Sequence, residues 1–136
     1  MKVTITQEVS SERISYMFIG AIEGGSSYWA TDCLVDDDLA DAFVIPEGQP
    51  LAGCGWYANP AFFDQEDFAI IVKWFADDSS KKKTRKVIGR KDIANGLRIM
   101  ANKYPRHFAD MIAEEDDAAT ADVFFQCVVL GDIVYG

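Results

Sequence analysis

The sequence has 136 residues, of which 49% are hydrophobic and 26% charged, a balance typical of a single folded domain spanning residues 1–136. Its net charge of −9 works against binding nucleic acids or anionic membranes through clustered cations. No stretch has the length and hydrophobicity of a membrane-spanning helix, and the N-terminus lacks the apolar core of a signal peptide. We therefore expect a cytoplasmic protein that does not enter a membrane.

The cysteines and the single histidine limit the metal chemistry of the chain. Cys33, Cys54 and Cys127 are widely spaced and form no CxxC pair, and His107 is the only histidine. This set cannot complete a zinc site of the usual kind, so we expect no metal and no cofactor. Cys127 lies in an apolar run, which predicts a buried, reduced thiol.

The N-terminal part of the chain predicts a strand followed by a helix. Lys2–Thr6 alternates polar and β-branched residues, as a short strand does. Ser10 or Ser11 can cap a helix whose apolar residues recur at helical spacing. The pair Gly24-Gly25 predicts the end of that helix.

The segment after the glycine pair is less regular. Ser27–Val35 fits either a strand or a second helix, and Phe43–Ile45 predicts a short strand. Pro46–Pro60 is rich in Gly, Pro and Asn and predicts a long irregular connection, in which Trp56 is a candidate anchor for a ligand.

The rest of the chain predicts a hairpin and then three helices. The hairpin consists of strands Phe68–Phe75 and Lys81–Val87 joined by a turn at Asp77–Ser80. The helices are Lys91–Lys103, a second that restarts at Pro105 and runs through Ile112, and a third that is capped by Asp117 and ended by Gly131. This order predicts an α+β fold, a small antiparallel sheet with a long hairpin packed against about four helices.

A glycine pair followed by hydroxyl and aromatic residues is the most distinctive candidate site. The amides of Gly24 and Gly25 and the hydroxyl of Ser26 could cradle an anion. Tyr28 or Trp29 could stack on a nucleobase. A helix C-cap followed by core aromatics explains the same residues without a ligand, and both interpretations stay open.

Two further candidates lie near the C-terminus. Arg106 and His107 open a predicted helix and suit phosphate or carboxylate groups, and Asp110 is placed three residues on, where it could orient the imidazole. A surface arginine and a partly buried histidine at a helix start explain this turn equally well. Gln126 lies within an apolar run and must find hydrogen-bond partners, either in the fold or in a ligand.

Three charged segments are first of all solvated surface. Lys81–Lys86 is the one concentration of positive charge and would suit an acidic partner or ligand phosphates. Asp36–Asp38 and Glu114–Asp117 are acidic, and would mimic a nucleic acid only with a regular, phosphate-like spacing in three dimensions.

Two parts of the chain, residues 14–29 and 91–136, resemble a family of small phage and prophage proteins. The resemblance lies in the segments EGGSSYW, YPRHFAD and ADVFFQ and in the terminal LGDIVYG; residues 30–90 carry none of it. It implies accessory biology in the cytoplasm of a bacterial host, with counter-defence as the expected role. The chain is similar to the sponges that oppose Thoeris immunity by sequestering a cyclic ADP-ribose-type signal. Such sponges are oligomeric, leave the signal intact, and use glycine-loop, aromatic and arginine contacts.

Together these features predict a non-enzymatic, homo-oligomeric protein that captures a small phosphorylated nucleotide. The expected ligand-binding residues are Gly24, Gly25, Ser26, Tyr28, Trp29, Arg98, Arg106, His107 and Gln126. An acidic protein needs a local positive pocket for such a ligand, and we expect a subunit interface to complete it. The alternative is an acidic, protein-binding inhibitor of a bacterial defence complex, similar to DNA-mimicking anti-CRISPR proteins. A hydrolase that uses His107 and Asp110 is a third hypothesis.

Overall fold

The computed structural model describes all 136 residues and contains six α-helices and one three-stranded antiparallel sheet, which confirms the predicted α+β class. The helices are α1 (Ser11–Gly20), α2 (Asp37–Ala42), α3 (Pro60–Asp64), α4 (Arg90–Lys103), α5 (Pro105–Ile112) and α6 (Ala118–Leu130). The strands are β1 (Ala30–Leu34), β2 (Ile70–Trp74) and β3 (Thr84–Ile88), and there is a π-helical turn at Ala21–Gly25 and a 3-10 turn at Trp56–Ala58. None of the helices has both the length and the apolar character needed to span a bilayer.

Helix α1 begins where the sequence predicts. Ser10 has an extended backbone, and its hydroxyl accepts a hydrogen bond of 3.1 Å from the amide of Arg13, one of the donors that a helix start leaves free. The helix runs on into the π-helical turn, whose last residue, Gly25, lies against α6. A Cβ at Gly25 would come within 2.5 Å of the carbonyl oxygen of Ala118, so only glycine allows this close approach.

The sheet has the strand order β1-β2-β3, and its second and third strands form the predicted hairpin. Along β2, Ile70, Val72 and Trp74 are buried while the residues between them are half-buried, as the alternation of the sequence predicts. The segment that fits a strand or a helix in the sequence contains β1, which pairs with β2 in an antiparallel arrangement.

Two predicted strands are wrong. Residues 2–6 form no strand. They are exposed and pair with no strand of the sheet, so no neighbouring strand supplies the hydrogen bonds that a strand needs. Phe43–Ile45 is also not a strand, because Asp36 caps a short helix, α2, immediately before it. The Asp36 carboxylate accepts a hydrogen bond of 3.0 Å from the amide of Asp38, and Phe43 then ends this helix.

The three C-terminal helices are confirmed, and α6 lies at the centre of the core. Asp117 caps it by accepting a hydrogen bond from the amide of Thr120, and Gly131 ends it in the left-handed conformation with φ of 78°. Nine of its thirteen residues are buried, including Cys127, as predicted. Gly96 of α4 packs so closely on α6 that a Cβ there would come within 2.6 Å of the Cα of Val128.

Candidate functional site

Asp122 of α6 joins four of the nine residues that the sequence singles out. Its Oδ1 accepts hydrogen bonds of 2.8 Å from the hydroxyl of Ser26 and 2.8 Å from the indole N–H of Trp29. Its Oδ2 accepts hydrogen bonds of 2.6 Å from the hydroxyl of Tyr28 and 3.0 Å from the side-chain amide of Gln126. The segment after the glycine pair is therefore fixed to α6 through one half-buried carboxylate.

Gln126 fastens the C-terminal tail to the same network. Its Oε1 accepts hydrogen bonds from the backbone amides of Val134 (2.8 Å) and Tyr135 (2.9 Å), and its Nε2 donates to the carbonyl of Tyr135 at 3.1 Å. The Tyr135 ring stacks on Trp29, with centroids 5.6 Å apart and planes at 18°. These bonds satisfy both ends of the buried Gln126 amide within the chain, which is its structural role.

Tyr28 is the solvent-facing member of this network. Its side chain is 57% exposed, whereas Trp29 and Ser26 are buried. Its hydroxyl donates to Asp122 and lies 3.2 Å from the carbonyl oxygen of Tyr135, so the ring is held at one end. Burial of the hydroxyl, and then its bond to Asp122, raise the pKa of Tyr28 to about 12, so the phenol stays neutral at physiological pH. The result is an exposed aromatic ring of fixed orientation.

The glycine pair divides into a packed and an open residue. Gly25 lies against α6, whereas a Cβ at Gly24 would meet no atom within 4 Å. The carbonyl of Gly24 accepts a hydrogen bond of 3.0 Å from the hydroxyl of Ser27. Next to this turn is a cleft of about 70 Å³, lined by residues that include Ser26, Ser27 and Thr31. It is much smaller than the roughly 300–1,000 Å³ pockets that enclose drug-sized ligands, so a nucleotide would rest on this surface and not inside it.

His107 lies on the other side of α6. Its Nδ1 is 3.1 Å from the hydroxyl of Thr120. The sequence spacing of His107 and Asp110 allows a hydrogen bond between their side chains, but His107 contacts Thr120 instead. Thr120 and Asp122 are two residues apart, so their side chains point about 160° apart around the helix. Within one chain, the turn that contains His107 and the Asp122 network therefore do not share a cavity.

The two candidate arginines are exposed and carry free charge. Arg98 donates a hydrogen bond of 3.0 Å to the side chain of Asn95, and no carboxylate lies within 4.0 Å of Arg98 or Arg106. Trp56, in contrast, is 7% exposed and packs against Phe62 at a centroid distance of 4.5 Å, so it belongs to the core and presents no face to a nucleobase.

A second cleft, of about 230 Å³, lies between α1 and the irregular connection, and sequence reasoning missed it. Its walls include Glu12, Tyr16, Gln49 and Asn59 together with isoleucine, leucine and proline side chains, and none of its twelve residues is Lys or Arg. That chemistry does not suit a phosphate. The spread of these residues over distant parts of the chain left no sequence signal for the cleft.

The chain has no cluster of three or more His, Cys, Asp or Glu side chains placed to hold a metal ion. All three cysteines are free thiols. Burial raises the pKa of Cys33 to about 12 and that of Cys127 to about 11, which keeps both protonated. Comparison of this chain with protein-family models, with curated proteins and with solved structures finds no match.

Proposed function

We propose that this chain is a phage-encoded anti-defence protein that binds and sequesters a cyclic nucleotide-type immune signal in the host cytoplasm without cleaving it. The observation that supports this most directly is Tyr28, an exposed ring whose hydroxyl is held by Asp122 and by the carbonyl of Tyr135. A ring fixed before binding loses little conformational entropy when a base stacks on it, and such stacking contributes about 1–3 kcal/mol per base.

The neighbouring backbone suits a ligand that lies on the surface. Gly24 has open space where a side chain would project, so a ligand can approach the main chain beside Tyr28. The exposed hydroxyl of Ser27 is next to it and can exchange its bond to the Gly24 carbonyl for one to the ligand.

The phosphate groups of such a ligand require cations, and Asp122 makes the surroundings of Tyr28 acidic. Arg98 and Arg106 are exposed and without a carboxylate partner, but Arg106 lies beside His107, across α6 from Tyr28. In a homo-oligomer, the arginines of one subunit would complete the site formed by Tyr28 of another.

Isothermal titration of the full chain against cyclic ADP-ribose-type and other cyclic nucleotides tests this function. Binding of at least one of them is expected, and the nucleotide recovered after incubation and denaturation of the protein should be intact by mass. No binding across the panel, or recovery of a hydrolysed nucleotide, would contradict the proposal.

The second candidate is an acidic inhibitor that binds a bacterial defence complex and mimics DNA. It is favoured by α2, which has no buried residue. Asp36 caps this helix and Asp37 and Asp38 open it, and none of the three lies within 4.0 Å of a cation. Asp41, one turn on, extends the acidic surface.

A binding assay against purified DNA-binding defence complexes separates this second function from the first. A DNA mimic should lose its partner as salt rises, because exposed charges are screened. It should also lose the partner when the three aspartates are changed together to asparagine, while the same variant keeps any nucleotide binding. Partner binding that is unchanged by both treatments would exclude it.

A further inference from the structure

One face of the sheet is open to solvent and carries an apolar row. The inward residues of β2 are buried, so the residues between them point to the opposite face. On that face Leu34, Ile71 and Val87 are aligned in register across the three strands. Leu34 is 48% exposed and Val87 45% exposed, which leaves this row in water in the isolated chain.

Charged residues flank the apolar row with opposite sign along the strand direction. Towards the hairpin tip, Lys73 and Arg85 are paired in register, and neither lies within 4.0 Å of a carboxylate. In the other direction, two residues beyond Leu34, the acidic run Asp36–Asp38 begins. Along the strand direction the order is therefore basic, apolar and acidic: Lys73 lies two residues from Ile71, and the acidic run begins two residues after Leu34.

The remaining acid on this face does not cancel the basic end. Asp32 is paired in register with Lys73, but its carboxylate forms an ion pair of 2.7 Å with Lys83, which approaches from the hairpin tip. The face thus keeps unpaired positive charge in a chain whose net charge is −9. A partner that offers both apolar side chains and carboxylates is complementary to it.

We infer that two copies of this chain pack face to face through this surface, as a two-fold dimer. We place the two-fold axis between the two sheets, parallel to the Leu34–Ile71–Val87 row. The row of one copy then packs on the same row of the partner, and the strands of the two sheets run in opposite directions. The basic end of one sheet, with Lys73, then faces the partner's acidic end, with Asp36–Asp38. This rotation brings the basic end of each copy against the acidic end of the other. A two-fold axis parallel to the strands would instead bring like charges together.

The size of the face says which contacts such a dimer needs. Strands of five residues are about 17 Å long, and three of them supply only part of the roughly 800 Å² that each partner buries in a standard interface. The flanking charges must therefore contribute, and the dimer should weaken as salt rises. A dimer of this kind forms whatever the ligand is, so it does not depend on the proposed function.

Sedimentation equilibrium of the full chain, from micromolar to millimolar concentrations, tests the inference. We expect a reversible monomer–dimer equilibrium that weakens in high salt. Val87→Glu places two like charges together at the axis and should weaken the dimer by at least about tenfold, and Leu34→Lys should do the same. Val44→Glu changes a residue that is 58% exposed outside the sheet, and should leave dimerisation unchanged. Circular dichroism checks that each variant is folded.

A charge exchange identifies the contact between copies. Lys73→Glu should weaken the dimer, and Asp37→Lys added to the same chain should restore it. A wild-type chain that stays monomeric at all concentrations, or a dimer equally strong with Val87→Glu and with Val44→Glu, would overturn the inference. A monomer that binds a nucleotide would overturn the dimer, and with it the completion of the site by a second subunit, but not nucleotide capture itself. A dimer that binds no nucleotide would overturn nucleotide capture and leave the dimer intact.

Discussion

The hydroxyl of Tyr28 donates a hydrogen bond of 2.6 Å to Oδ2 of Asp122, across 94 residues of sequence. This contact ties the segment after the glycine pair to the central helix and sets the direction of the ring on which the proposed site depends. The same carboxylate accepts from buried Ser26 and Trp29. The stability of the fold and the proposed ligand binding therefore both depend on the Asp122 side chain.

Asp122→Ala should destabilise the fold by about 2–4 kcal/mol, because it leaves two buried donors, the Ser26 hydroxyl and the Trp29 indole, without an acceptor. Urea unfolding followed by tryptophan fluorescence measures the loss. Asp78→Ala, in the exposed hairpin turn, is the matched control and should change the free energy of unfolding by less than about 0.5 kcal/mol. Equal effects of the two substitutions would contradict the role of Asp122.

Gln126→Ala should release the C-terminal tail. The amides of Val134 and Tyr135 lose their acceptor, so their hydrogen exchange should accelerate while exchange in α4 changes little. Gln49→Ala, at an exposed position in the irregular connection, should leave tail exchange unchanged. Undiminished protection of the two amides in Gln126→Ala would show that other contacts hold the tail.

Substitutions of Gly96 and Gly24 by alanine should have very different effects on the stability of the fold. Gly96→Ala forces a Cβ to within 2.6 Å of the backbone of Val128, and should cost about 1–3 kcal/mol through overpacking between α4 and α6. Gly24→Ala places its Cβ in open space and should change stability by less than about 1 kcal/mol. Thermal unfolding of both variants compares them, and a Gly24→Ala variant that is the less stable of the two would be inconsistent with the packing described.

Alkaline pH should destabilise the protein through two tyrosines. Burial, and then hydrogen bonds to Asp122 and Glu23 respectively, raise the pKa values of Tyr28 and Tyr57 to about 12, against 10.0 for an ordinary tyrosine. Because the folded-state pKa is the higher one, this stabilisation is complete below pH 10 and is lost as pH rises towards 12. Absorbance titration at the phenolate band should show Tyr28→Phe removing one late-titrating group. A Tyr28→Phe profile identical to wild type would argue against the Tyr28 shift.

Local signals predicted most of the helices, because the caps that start and end them lie in the sequence beside them. Asp117 and Gly131 delimit α6 for this reason, and Ser10 starts α1. The strand predicted at residues 2–6 failed because a strand also needs a neighbour, which no local pattern supplies. At Phe43–Ile45 the β-favouring residues were outweighed by the cap at Asp36.

The candidate site was predicted only in part. Ser26, Tyr28, Trp29 and Gln126 do meet, but through Asp122, which sequence reasoning passed over. Its signal was available, because Asp122 is the one charged residue in α6 and lies one turn before Gln126. The position of Arg106 and His107, across α6 from Tyr28, could not be predicted, because it depends on how α5 packs and not on any local pattern.

The measurement that tests the central claim most directly is titration of wild type, Tyr28→Phe and Tyr28→Ala with a cyclic ADP-ribose-type nucleotide, monitored by calorimetry. Capture by stacking predicts that wild type binds, that Tyr28→Phe keeps most of the affinity because the ring remains, and that Tyr28→Ala loses about 1–3 kcal/mol, roughly five- to 150-fold. Tyr16→Ala, which removes another exposed ring, should bind as wild type does. Equal binding by wild type and Tyr28→Ala, or no binding by wild type, would contradict the account.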